Sequence, residues 1–146
     1  MGNELAHEYG YPTIREVPVK KDAYCLLGLQ KDATHIKLIN PRIYFNSGKM
    51  YKDNETYRDY PKEVDYNDVK PNRWCVGPDA LIWNPFRCSS GVITYDIKSR
   101  HEKTTKKLQV MWYCAGKHEW DVNWFALGLG EETASEALFK KMFSGE

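Results

Sequence analysis

The chain lacks several features at once, and each absence removes a class of function. No apolar run approaches the ~20 residues of a membrane-spanning helix, so the chain as given reads as water-soluble. Charge of one sign is missing too. Lys and Arg number 21 against 20 Asp and Glu, a balance that offers no case for nucleic acid as a partner. Close cysteine pairs, the usual mark of a zinc site, are absent. Cys25, Cys75, Cys88 and Cys114 sit in four separate segments. Buried thiols and one or two disulfides both remain open, with thiols preferred. There is no nucleophile elbow, phosphate loop or pair of catalytic carboxylates, so no enzyme, cofactor or metal is expected.

The first 19 residues, Met1 to Val19, hold Gly10, Pro12 and Pro18 and no apolar signal-peptide core. They are expected to form an irregular segment ahead of a single domain over 20–146. Ala6 stands where N-myristoylation of Gly2 would favour Ser or Thr. A glycosylation sequon, Asn54-Glu55-Thr56, would matter only in a secreted protein.

What the chain has is aromatic side chains, 14 % of its residues. Short apolar runs bounded by turn residues recur: Ala23 to Leu29, Thr34 to Asn40, Arg42 to Phe45, Asp79 to Asn84, Gly91 to Ile97, Lys107 to Cys114 and Trp124 to Leu129. Their spacing and their Val, Ile, Tyr and Trp content predict a mainly β fold, a compact antiparallel β-sandwich. Ile97 to Lys107 reads as a charged, solvated hairpin connection. Tyr51 to Arg73 has four tyrosines, two prolines and no clean period, and a loop of that length is usually functional or partly disordered.

One flanking C-terminal α-helix is expected over Thr133 to Phe143. Thr133 and Glu136 have capping-box spacing. Ala134, Leu138 and Met142 fall on one face, Phe139 and Phe143 on a neighbouring stripe. Gly145 is placed to end the helix.

The segment Lys106 to Gly130 concentrates Trp112, Tyr113, Trp120, Trp124 and Phe125 around a polar middle, CAGKHEWDVN. Glycine and charges make that middle a surface loop, and aromatics in a polar loop require a partner. Trp112 and Trp124 lie in strand contexts and are expected in or near the core. His118, Glu119 and Asp121 read as solvated surface rather than a metal or acid–base site.

The order of pieces resembles the actinoporin-like family, the sea-anemone cytolysins and their relatives in fish and molluscs. The residues that carry the likeness are Tyr-Phe-x-Ser-Gly at Tyr44 to Gly48, Gly-Val-x-x-Tyr at Gly91 to Tyr95, and Trp120, Asn123 and Trp124 within Met111 to Phe125. The resemblance implies a membrane-lipid-binding protein and pore-forming cytolysin or toxin, secreted and acting at target membranes. It would assemble there as a homo-oligomer on phosphocholine or sphingomyelin-type headgroups. By the same resemblance Ser47, Tyr113, Trp120, Asp121, Phe139 and Phe143 would form the headgroup and interface site. Where the family's loop carries a Ser, a Pro and several tyrosines, the aligned positions here are Tyr113, Ala115, Gly116, His118 and Asp121. The helix tyrosines become Phe139 and Phe143, and together these changes predict weaker cation–π capture of choline. Residues 1–19 show no amphipathic stripe, which predicts weak permeabilisation. The alternative is a lectin-like glycan-binding protein of similar fold, its rings stacking on sugars. A third reading is a protein-binding module using the Tyr51 to Tyr66 loop.

Overall fold

A computed structural model describes residues 13–16, 25–51, 59–77, 89–114 and 124–145 of the chain. The strands are β1 (Thr13–Glu16), β2 (Cys25–Leu29), β3 (Ile36–Ser47), β4 (Lys49–Tyr51), β5 (Asn72–Gly77), β6 (Ser89–Ser99), β7 (Lys107–Cys114) and β8 (Trp124–Gly130). A single described helix, α1 (Glu136–Phe143), follows them. The strands make two four-stranded sheets, ordered β1-β2-β5-β4 and β3-β6-β7-β8. Every pairing within them is antiparallel. The protein is thus mainly β, with two antiparallel sheets and one short C-terminal helix.

Alternation along the strands explains the layering. Leu27 and Leu29 of β2 and Trp74 and Val76 of β5 point one way. They meet Ile93, Tyr95 and Ile97 of β6, Leu108, Val110 and Trp112 of β7, and Leu127 of β8. The residues between these, Val92, Met111 and Ala126, face outward and are covered by Leu138, Phe139 and Met142 of α1. Strands β6 and β7 are therefore buried on both faces, which is why they read as near-continuous apolar runs.

The runs Thr34 to Asn40 and Arg42 to Phe45, expected as two strands, belong to one. The ladder pairs Ile39 with Asp96 but Arg42 with Thr94, so one extra residue is inserted into β3. Asn40 takes φ of 52° there, a left-handed conformation that Asn tolerates better than most residues, and Pro41 has no N–H to lose. Such a bulge shifts the inward set from even to odd numbers: Ile36 and Leu38 before it, Ile43 and Phe45 after it. The two short runs are the sequence trace of that phase change.

A second bulge between Phe45 and Ser47 precedes Gly48. Gly48 has φ of 84° and hands the chain from one sheet to the other. A Cβ on it would lie 2.2 Å from the Gly77 carbonyl oxygen, so no other residue fits without moving backbone. Gly91 is required for a different reason: a Cβ there would lie 2.3 Å from the Tyr44 carbonyl oxygen and 2.7 Å from the Trp112 ring.

Three further expectations change. Thr13–Glu16, placed in an irregular segment, is a strand paired with β2. Asn72 and Arg73, assigned to the long loop, open β5. The loop's described part, 59–71, is packed down rather than loose. Val64 is buried and exchanges two 2.9 Å backbone hydrogen bonds with Leu38, covering the β3 edge that would otherwise be open to other strands. Tyr95 Oη donates to Pro61 O at 2.6 Å, and burial, with Tyr60 and Asp59 nearby, pushes its pKa up. Buried Lys31 donates from Nζ to Tyr66 O (2.8 Å) and Ala33 O (3.2 Å). Its burial lowers the ammonium pKa against the opposing pull of Asp68 and Asp65.

The helix also begins later than its sequence suggests. Ser135, not Thr133, is the N-cap, accepting the Leu138 N–H on its hydroxyl at 3.1 Å. Thr133 and Glu136 therefore make no capping box; Glu136 pairs with Lys140 instead (2.8 Å). Gly145, at φ of 80°, ends the helix as expected. Cys75 and Cys114 are buried thiols.

Candidate functional site

The aromatic end of the second sheet is built by register. Ser47 pairs with Ser90, Ser90 with Tyr113, and Tyr113 with Trp124, so these four stand in one row across β3, β6, β7 and β8. Two strand spacings separate Ser47 from Tyr113, roughly 10 Å. The row marks the end of the outer face, where β7 stops and β8 starts.

Rings continue that face. Tyr44 meets Phe139 at 6.4 Å between centroids, Phe139 meets Phe143 at 5.7 Å, and Phe143 meets Tyr113 at 5.7 Å. Their burial differs along this chain, with Tyr44 and Tyr113 at its ends half-buried. Phe139 is 4 % exposed and fastens the helix to Val92, Met111 and Ala126. Phe143 is 46 % exposed. Of the two helix rings expected at the surface, only Phe143 is presented; Phe139 is occupied by packing, because the face of α1 turned to the sheet includes it with Leu138 and Met142. Phe125, one residue past the start of β8, is exposed as well. The exposed large hydrophobics among the described residues are Val69, Phe125 and Phe143, so two of the three lie at this end.

Ser47 is half-buried and its hydroxyl lies 2.8 Å from that of Ser90, which also accepts from Asn46 Nδ2 at 3.1 Å. Behind this pair Ser89 Oγ accepts the Trp112 indole N–H at 3.2 Å. The polar atoms of the corner thus bond one another beneath the rings. Trp112 is wholly buried, with Phe45 edge-on at 5.4 Å.

The structure brings Ser47, Tyr113, Phe139 and Phe143 to one end of one face. Trp120, Asp121, Asn123 and the His118–Glu119 pair lie outside the described residues, as do Asn54 and the Asp79 to Asn84 run. For Trp124 only the backbone position, opposite Tyr113, is described. Sequence reasoning missed Tyr44 as part of the ring chain and Ser90 as the partner of Ser47. The signal for Tyr44 was its outward phase after the β3 bulge, invisible until the bulge is known.

Among the described residues, five of the motif positions behind the family resemblance have work to do in packing. Tyr44 covers Phe139, Phe45 touches Trp112, Gly48 turns the corner, Gly91 makes room for the indole, and Tyr95 anchors Pro61. No protein-family model matches the chain, and no curated protein matches it. Among the described residues, no helix is long and apolar enough to cross a membrane.

Proposed function

We propose that this protein binds membrane lipid through the aromatic end of its second sheet, in the manner of an actinoporin-like protein. The observation that carries this reading is the ring chain ending in half-exposed Phe143 against Tyr113. It stands beside Cys114 and Trp124, the two ends of the segment that holds Trp120 and Asp121. Rings with apolar bodies and polar edges suit the headgroup layer of a bilayer. The lysines of α1, Lys140 and Lys141, are each paired to a carboxylate, so the attraction is by ring burial more than by charge. Trp120 and Phe143 would enter the interface, and Tyr113, Asp121 and Ser47 would line the headgroup side. Oligomerisation on the membrane and pore formation extend this proposal and come from the family resemblance.

One observation favours the second reading, a glycan-binding protein of the same architecture without pore formation. Thr13–Glu16 is hydrogen-bonded into the first sheet, so that part of the N-terminal region is committed to the sandwich rather than to a detachable helix.

Co-sedimentation with phosphatidylcholine liposomes, with and without sphingomyelin, tests the proposal. The expected result is binding with little dye release. Absence of binding to every vesicle, with a positive signal on a glycan array, would replace the first reading with the second.

A further inference from the structure

The opposite end of the second sheet carries a different chemistry. Strand β6 runs from the aromatic row at Ser89–Ser90 to Ser99, about 33 Å at the usual rise per residue. There the hairpin to β7 folds over a cavity of about 650 Å³ lined by Lys98, Ser99, Glu102, Lys103, Thr104 and Lys106 among others. Residues 98–106 contain four Lys or Arg against one carboxylate, Glu102.

The neighbouring charges are already committed. Lys107 is paired with Asp96 at 3.0 Å, Arg100 lies over the Tyr66 ring at 4.0 Å, and Thr105 donates to Glu131. Lys98, Lys103 and Lys106 are exposed and have no ion pair among the described residues. Two hydroxyls complete the cup. Ser99 Oγ accepts the His101 N–H at 3.1 Å, and Thr104 Oγ1 accepts the Lys106 N–H at 3.0 Å. Each hydroxyl oxygen is thereby held in place by backbone while its own hydrogen stays available to donate. Around this concavity three ammonium groups and two oriented hydroxyls outnumber the single carboxylate of Glu102, a donor excess that a phosphate or sulfate group satisfies.

We propose that the β6–β7 hairpin is an anion-binding site for a compact, multiply charged oxyanion bearing phosphate or sulfate groups. The site is independent of the aromatic end, and its distance from that end allows both to be occupied together. The lysines supply attraction and the two hydroxyls supply direction.

Isothermal titration of the full chain with sodium tripolyphosphate and, separately, with sucrose octasulfate tests this. Saturable binding of one anion per chain is expected, stronger at about 0.05 M salt than at about 0.3 M. Replacing Lys98, Lys103 and Lys106 together by Gln should weaken it by about tenfold or more, since each exposed pairing contributes modestly. Circular dichroism of that variant should match the parent. A control with Lys49, Lys70 and Arg73 changed to Gln removes the same charge elsewhere and should bind like the parent. Binding of only one of the two anions would assign the source as phosphate or sulfate. No saturable binding, or equal weakening in the control, would overturn the site.

Discussion

The two faces of the β3-β6-β7-β8 sheet differ in how completely they are covered. The inner face meets a second sheet and buries large side chains along its length: Ile93, Tyr95, Val110, Trp112 and Leu127. Among the described residues, the outer face is covered by an eight-residue helix, and that cover stops at Phe143. Between them they separate two jobs. The inner face supplies stability, whereas the outer face leaves aromatic surface at the point where its covering helix ends. A ring four residues along the helix changes role for this reason alone: Phe139 is fixed to the sheet and Phe143 is presented.

The comparison breaks most severely at Trp112. Its ring is wholly buried and its N–H is bonded to Ser89, so Trp112→Ala should cost about 3–5 kcal/mol, the lost hydrogen bond included. Chemical denaturation reads this directly. Phe139→Ala on the outer face should fall near or below the lower end of that range, because Tyr44 and Phe143 stand close enough to settle into the space. Equal losses from the two variants would mean that the outer face is as deep a core as the inner one.

The helix cap gives a sharper and smaller test. Ser135→Ala should lose about 1 kcal/mol, and Thr133→Ala much less. The opposite order in thermal melts would restore the earlier start at Thr133. Phe143→Ala then separates presentation from packing. Its stability should stay within about 0.5 kcal/mol of the parent, while vesicle partitioning falls about fivefold, the loss of roughly 1 kcal/mol of ring burial. A variant that binds vesicles unchanged would remove Phe143 from the proposed interface.

Much of this was legible in the sequence for a physical reason. Strands buried on one or both faces leave period-2 or continuous apolar runs, and β6, β7 and β8 were visible that way. What stayed hidden depends on long-range pairing. The β3 bulge looks like the end of a strand until its ladder to β6 is known. Thr13–Glu16 carries no pattern that would mark it as a strand apart from its partner, β2. Ser135 and Thr133 are both good caps by chemistry, and only the packing of Leu138, Phe139 and Met142 decides where the first turn begins. The candidate site was less legible. The family resemblance named Tyr113, Phe139 and Phe143 alike, and nothing in the helix pattern separates Phe139 from Phe143, which have opposite burial.

The smallest expected effect is electrostatic and sits between the two central strands of the same sheet, where Asp96 pairs with Lys107. Burial alone would raise the Asp96 pKa, but hydrogen bonds from Asn40 and Lys107 and the charges of Lys107 and Arg42 together hold it below the ordinary carboxylate value. A carboxylate favoured in the folded state stabilises the fold above its unfolded pKa and loses that contribution as pH falls through its folded pKa. The loss should therefore appear only below about pH 4. Asp96 is 37 % exposed, so screening by water keeps the contribution well under about 1 kcal/mol. Lys107→Gln should flatten the acid limb of a stability–pH profile slightly and leave the neutral plateau almost unchanged. A large drop at neutral pH would instead show that Lys107 acts through packing of its stem across β6, and that the outer face contributes to stability here as the inner one does.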